Sequence, residues 1–322
     1  MGLPVHEGRH ALLPDGLRGR GGRDPGGAAV TRGRAAVFLN EGAGSARSDR
    51  VRRTVELATD ALDADLHVIA TRDALELRHW LESHIEGYGT AIIAGGDGSL
   101  SVAYNVAVRR PELVLGYIPA GFGNATAHLL DLPRDPDDLV GVIRRGEARP
   151  IDLVAVDGRL ALFAGAGWDA LVAERYADAG ARRLRGWASA IARSVPDLWQ
   201  RPRVRIKADD WTVHRGPIEL VVVGTTPFYG RGLKVNPGAR VDAGRLSLRV
   251  YPGPAPRLLI EAGRWAAGVR PHAERVDAQR VELRSLDGVP IPVQADGDVV
   301  GWSDLWTFEL RPSAVRLIGR WN

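Results

Sequence analysis

Apolar and polar positions along this chain change period at regular intervals, and the changes divide it into elements. Ala35-Ala36-Val37-Phe38-Leu39 is a continuous apolar run of strand length. Val51, Val55, Ala58 and Leu62 then recur at helical spacing. Leu66-His67-Val68-Ile69-Ala70 reads as a second strand, and Ala74, Leu77, Leu81 and Ile85 mark a second amphipathic helix. Ala91-Ile92-Ile93 predicts a third, buried strand, residues 100–108 a helix and residues 114–118 a fourth strand. Alternating strand and helix units of this length predict a doubly wound parallel sheet.

Beyond residues 136–146 the pattern changes. Ile151-Asp152-Leu153-Val154-Ala155-Val156 opens a series of short strands, continued over 204–207, 218–224, 246–251, 281–284, 289–294 and 307–310. Turn signals such as Asp157-Gly158, Asp209-Asp210 and Asp287-Gly288 separate them. One long helical stretch, about 170–200, interrupts the series. The expected fold class is therefore α/β plus mainly β. A doubly wound parallel-sheet nucleotide domain spans 34–148, and an antiparallel β-sandwich-like domain spans 149–322, its last strand free to return to the first domain. Residues 1–33, rich in Gly, Arg and Pro and without period, read as a disordered tail. There is no internal repeat.

Composition narrows the function without naming it. A chain of 322 residues can bury two cores. It has no cysteine, which excludes disulfides and thiolate metal sites, and no histidine is assigned to a metal. No apolar run approaches the roughly 18 residues of a membrane span, so any membrane contact is expected to be peripheral. The net charge of +4 comes largely from scattered arginines, which suit an anionic surface and equally an Arg-rich composition. Without a zinc-finger, helix-turn-helix or aromatic–basic strand signature, nucleic acid is not an expected partner.

The candidate chemistry lies where predicted strands end in glycine loops: Gly42/Gly44, Gly95/Gly96/Gly98 and Gly121/Gly123. In a doubly wound sheet such loops gather at the carboxyl edge, where ligands bind. Ala94-Gly95-Gly96-Asp97-Gly98-Ser99 joins a buried strand to a helix, so its backbone N–H groups can approach an anion.

Taken in order, these motifs resemble the diacylglycerol kinase catalytic-domain family, which includes bacterial lipid kinases and is related to sphingosine kinases. The resemblance runs from Arg34 to the C-terminus. Gly95-Gly96-Asp97-Gly98-Ser99 is similar to the family's GGDG(T/S) loop, and Ile118-Pro119-Ala120-Gly121-Phe122-Gly123-Asn124 to its second glycine loop. Phe163-Ala164-Gly165-Ala166-Gly167-Trp168-Asp169-Ala170 resembles a segment of the second domain. Tyr229-Gly230-Arg231-Gly232, Pro237-Gly238-Ala239 and Asp242-Ala243-Gly244-Arg245-Leu246 resemble a later run, and Gln294-Ala295-Asp296-Gly297-Asp298 the Q-x-D-G-E motif. The resemblance implies transfer of the γ-phosphate of ATP, with Mg²⁺, to a hydroxyl of diacylglycerol or a related lipid alcohol. It implies a cytoplasmic protein in peripheral contact with the membrane, and leaves homodimerisation open.

Site roles follow from the same resemblance, each beside a plainer alternative. Asp296 is the implied general base, or an ordinary Asp-Gly hairpin turn. Asp97 is implied to hold Mg²⁺ next to phosphates bound by Gly95, Gly96, Gly98, Gly121 and Gly123, or to cap its own turn. Ser99 bonds a phosphate or N-caps the following helix. Asn40 and Asn124 touch nucleotide or end their turns. Asp152 and Asp298 belong to the implied metal surroundings, or are an edge-strand Asp and a shortened stand-in for the usual Glu.

Three positions depart from the family pattern: Phe122 for Thr, Ala125 for Asp and Val102 for Glu. They leave two other readings open, an NAD-kinase-like enzyme and a catalytically weak lipid- or nucleotide-binding regulatory protein. Nine tryptophans are many for this length. Trp187 and Trp199, near Arg182, Arg183, Arg185 and Arg193, make either a basic membrane-facing helix or a helix buried against the sheet.

Overall fold

The computed structural model describes residues 33–178, 184–199 and 201–321. The tail expected over 1–33 therefore lies, but for Gly33, outside the described residues. From Arg34 the predicted alternation is realised as β1 (Arg34–Asn40), α1 (Asp49–Leu62), β2 (Asp65–Ile69), α2 (Ala74–His84), β3 (Tyr88–Gly95), α3 (Asp97–Ala107) and β4 (Val114–Pro119). Capping side chains set the helix starts: Ser48 accepts from the Val51 N–H, and Asp73 from those of Leu75 and Glu76. β1 pairs in parallel with β2 and β3, and β3 with β4.

The residues of β1, β3 and β4 alternate between two covered faces, whereas the edge strand β2 is largely exposed. Phe38, Ile93 and Leu115 pack under α2 and α3, while Val37, Ile92 and Val114 pack under α1 and α5 (Pro136–Arg145). Two-sided burial explains why these strands are apolar throughout.

After α4 (Ala125–Leu129) and α5 come β5 (Ala148–Val156), β6 (Arg159–Ala161), β7 (Phe163–Gly167), α6 (Trp168–Asp178), α7 (Leu184–Ser194), β8 (Arg203–Ala208), β9 (Trp211–Pro217) and β10 (Leu220–Gly224). The chain finishes with β11 (Leu246–Tyr251), α8 (Ala255–Ala266), β12 (Arg275–Ala278), β13 (Arg280–Ser285), β14 (Ile291–Ala295), β15 (Asp298–Ser303) and β16 (Leu305–Ile318). One six-stranded sheet, β12-β11-β10-β7-β14-β15, is antiparallel. Val221, Val223 and Val293 of that sheet meet Ile206, Val281 and Leu283 of the other, so the second half is a sandwich.

The other sheet has ten strands and runs through both halves, in the order β2-β1-β3-β4-β16-β13-β8-β9, with β5 on β16 and β6 on β5. β16 makes this continuity. Its first part pairs antiparallel with β13, and Arg316–Leu317 pair in parallel with β4. Between the two the ladder with β5 slips, and Ser313 takes φ 50°. Asp152 on β5, almost fully buried, fastens this break: its Oδ1 accepts the Ser313 N–H (2.9 Å) and its Oδ2 the Gly244 N–H (2.7 Å).

Some elements differ from the sequence pattern. The stretch 170–200 divides into α6, α7 and a 3₁₀ turn over Val195–Trp199. Arg182, Arg183 and the side chains of Arg185 and Trp187 lie outside the described residues, and Trp199 is exposed. β9, β12 and β15 carry too few buried positions to give an apolar signal. α8 begins directly after Pro254, in a Pro-rich run that suggests a loop, because proline suits a first helical turn.

Asp152→Ala removes the acceptor of the part-buried Gly244 and Ser313 amides. It should destabilise the fold by about 1–3 kcal/mol, read as a lowered midpoint in denaturant unfolding.

Candidate active site

Both glycine loops emerge at the carboxyl ends of adjacent strands, β3 and β4, and they touch through backbone. A Cβ on Gly121 would stand 2.7 Å from Gly96 Cα and 2.8 Å from the Asn124 side-chain oxygen, so only glycine fits. Around this contact the polar side chains of the motifs turn inward and build the loops. Asp97 accepts the N–H groups of Ala125 (2.9 Å) and Thr126 (3.1 Å), and so caps α4 from across the cleft edge. Asn124, at φ 47°, accepts the Gly121 N–H and donates back to the Gly121 carbonyl oxygen. Asn40 accepts from the Gly42 and Thr71 N–H groups and donates to Ser99 Oγ (3.2 Å), which is buried over Gly95.

What these loops present outward is main chain. No side chain caps α3, so the N–H groups of its first turn are available to an anion. Gly98 has open space around it. Beside the second loop lies a cavity of about 630 Å³, lined by Gly121, Phe122 and Gly123 together with Arg50, His128 and Arg134.

Asp296 is not among the residues lining this cavity; it sits in the tight turn between β14 and β15 at φ 49°. Its Oδ1 accepts the N–H groups of Leu162 (3.0 Å) and Phe163 (3.2 Å). The adjacent β6 is hung on α3, because the Asn105 side chain donates to the Leu160 carbonyl oxygen (3.0 Å) and accepts the Leu160 N–H (2.9 Å). This clip brings Asp296 to the helix that the first glycine loop opens, beside Ser101. Protein encloses the carboxyl while solvent reaches it partly, as at the bottom of a cleft. Burial raises its pKa from 3.8 to about 7, with the Phe163 amide, Arg159 and Ser101 opposing and the charge of Asp97 adding. Asp97 itself is raised by burial, against the amides of Thr126 and Ala125.

A further carboxyl supports this turn. Asp169, in the first turn of α6, accepts from Gln294 Nε2 (2.9 Å), and Gln294 Oε1 accepts the Gly297 N–H (2.7 Å). Gly165 is glycine because Asp169 Oδ2 occupies the space 1.8 Å from where its Cβ would be. Asp169 Oδ1 is buried without a partner, and burial raises the carboxyl to about 7. Tyr229 stacks on Phe163 at 4.0 Å and walls the same region.

The structure brings Asn40, Gly95, Gly96, Asp97, Gly98, Ser99, Gly121, Gly123 and Asn124 to one edge and sets Asp296 against the same helix. It does not bring Asp97, Asp152 and Asp298 together as ligands. Both oxygens of Asp97 and of Asp152 accept backbone N–H groups, and Asp298 pairs with Arg159 at 2.7 Å. Among the described residues no three His, Asp or Glu side chains cluster as a metal site. This donor set does not fit a protein-built Mg²⁺ site. Two departures from the family pattern have simple locations: Val102 lies on the core-facing side of α3, and Ala125 is buried, giving its N–H to Asp97.

Asp169 and Gln294 were within reach of the sequence, since both stand inside motifs. Arg50, Asn105, His128, Arg134 and Arg159 stand in none, and only the fold reveals them.

Two family models match in succession. The diacylglycerol kinase catalytic domain covers residues 34–156, and the YegS C-terminal NAD kinase beta sandwich-like domain covers residues 163–319. The chain thus carries a diacylglycerol kinase catalytic domain followed by the YegS-type sandwich domain, which together cover most of residues 34–319. A Pseudomonas aeruginosa protein described as a probable YegS-like lipid kinase is 27% identical over 282 residues, 84% of this chain and 90% of its own length. The diacylglycerol kinase of Staphylococcus carnosus is 25% identical over 280 residues, 84% of this chain and 90% of its own. The crystal structure of a diacylglycerol kinase from Bacillus anthracis shares the fold, with a TM-score of 0.71 at 19% identity over 91% of this chain and 98% of that one.

Gly165→Ala should displace the Asp169–Gln294 pair and lower kinase turnover more than stability, measured by parallel assay and thermal melt. Asp169 and Asp296 keep protons in the folded chain that the unfolded chain has released. Stability should therefore be highest below pH 3.8 as far as these two groups go, and fall as the pH rises to about 7. Asp169→Asn should flatten that slope in urea titrations at successive pH values.

Proposed function

We propose that this protein transfers the γ-phosphate of ATP to the hydroxyl of a lipid alcohol, diacylglycerol or a close relative, with Asp296 as general base. Residues 34–148 present the nucleotide and residues 149–322 the base and the lipid. The observation that carries the reading is Asp296 itself: a clamped, partly solvent-reached carboxyl with a pKa near 7, held on the helix whose uncapped N-terminus follows the first glycine loop. A base of that pKa is half-charged near neutral pH and so can take a proton efficiently there.

In this reading the first-turn N–H groups of α3 and the second glycine loop bind the phosphates, and Arg50, His128 and Arg134 offset their charge. The Asp296 carboxylate takes the proton of the lipid hydroxyl. The oxygen forms a bond to the γ-phosphorus, the bond from that phosphorus to the β–γ bridging oxygen breaks, and ADP leaves. Asp97 holds the two loops in register by capping α4 and raises the pKa of Asp296 through its charge. Gln294 and Asp169 keep the Asp296–Gly297 turn in place. A divalent ion would be carried by the nucleotide's phosphates, where it would screen their charge.

A regulatory reading draws on Phe122, which lines the cavity where the family places a hydroxyl. A radiolabelled-ATP assay over diacylglycerol, a sphingoid base and a polyprenol separates the two. Transfer to one of these lipids is the expected result, whereas ATP binding without transfer to any would sink the kinase assignment. Asp296→Ala should lower kcat by roughly 10²–10⁴-fold. In the wild type kcat/KM should rise with pH through about 7, as the base loses its proton.

A further inference from the structure

α8 carries its apolar residues on the wrong side for a helix that serves only the core. Leu258, Glu261 and Trp265 point inward and are buried. The outward face is formed by Pro256, Leu259, Ile260, Ala262, Gly263 and Ala266, all exposed, with Leu259 at 57% and Ile260 at 58%. Single exposed apolar residues need no explanation, but a continuous stripe along two turns marks a contact surface.

Basic side chains flank the stripe. Arg257 and Arg264 follow one flank of the helix, and Arg270 lies just past its end, where its carbonyl oxygen accepts from Arg264 Nε (2.8 Å). The one acid of α8, Glu261, is turned inward, where it accepts the His272 N–H. Exposed Val269 extends the stripe beyond the C-terminus. Trp199, 69% exposed, adds an aromatic ring close by. Its neighbour Leu198 shares a buried cluster with Leu258 and Trp265, and Arg201 donates to the carbonyl oxygen of Pro252 ahead of α8.

The surface is also connected to the candidate active site. The cluster under α8 contains Leu220, Val222 and Tyr251, with Trp168 and Tyr229 packed against it. Tyr229 stacks on Phe163, whose N–H holds Asp296. An apolar path thus runs from beneath the exposed stripe to the base.

We propose that α8, with Trp199, is the docking surface of this protein on an anionic bilayer: the stripe enters the interface and Arg257, Arg264 and Arg270 meet lipid phosphates. The proposal rests on the lipid-kinase reading for its purpose but not for its test. It keeps Trp199 from the basic, Trp-bearing stretch that the sequence suggests and centres the membrane face on α8.

The test is co-sedimentation of the full chain with phosphatidylcholine vesicles, with and without phosphatidylglycerol, beside sedimentation velocity of the protein alone. Wild type should bind the phosphatidylglycerol vesicles and lose them at high salt. The double variant Leu259→Asp/Ile260→Asp should bind at least about tenfold more weakly, since two apolar side chains leave the interface. Arg257→Gln/Arg270→Gln, which leaves the stripe intact, should lose the preference for phosphatidylglycerol. Val68→Asp, at an exposed apolar position on β2, should bind as wild type. Wild type that ignores both vesicles overturns the proposal. So does a Leu259→Asp/Ile260→Asp variant that binds normally, or one whose only change is a lost self-association, which would assign the stripe to a second copy of the chain. Kinase activity on detergent-dispersed lipid should be unchanged in all three variants. Its absence from the wild type would count against the proposed function while leaving the vesicle result standing.

Discussion

A single carboxylate, Asp152, ties together three parts of the chain that are far apart in sequence. It sits on β5 and takes the amides of Gly244 and Ser313. The Ser313 bond holds the break at which β16 stops pairing with the sandwich and starts pairing with β4. The bend there lets β16 carry the sheet of the sandwich on to β4. With it, the two halves share one sheet, and the distance between the glycine loops and the Asp296 turn becomes a property of the fold. The Asn105–Leu160 pair repeats the same logic closer to the site.

The glycine loops show a division of labour between side chain and main chain. Asn40, Asp97, Ser99 and Asn124 are the polar residues that draw attention in the motifs, and all four spend hydrogen bonds on loop construction. Bound inward, they leave outward-facing N–H groups that carry partial positive charge without a mobile side chain. Such a surface suits phosphates, because it is organised before the ligand arrives. The same economy explains why a valine at 102 and an alanine at 125 are tolerated. Both positions are buried, and the loop geometry is supplied by Asp97 and the backbone.

Much of this architecture was legible in the sequence. The β–α alternation up to β4 could be read from periodicity alone, because two-sided burial makes those strands apolar and capping residues punctuate the helices. The motifs likewise located Asp296 and both glycine loops. What the sequence concealed has identifiable physical causes. β9 and β15 bury few side chains, so they have no apolar signature. β16 crosses its break at Arg311-Pro312-Ser313, where a proline and a polar residue read as an end. Asp152 is implied in the metal surroundings only by the family resemblance, and the fold reveals the two amides that claim it. Arg50 and Asn105 act through distant partners, Pro119 and Leu160, which no local pattern encodes.

The closing position of β16 also bears on how the chain reaches its native state. The parallel strands β1 to β4 are contiguous in sequence, yet the neighbour that covers the outer edge of β4 comes from residues 305–318. During synthesis that edge stays unpaired until nearly the whole described chain has emerged. Sequence-distant pairing of this kind is slow, because a long loop must close before the contact rewards it. An open β4 edge is meanwhile a template for another chain. The first half is thus complete only after the second has been made, which places its most aggregation-sensitive interval late in translation.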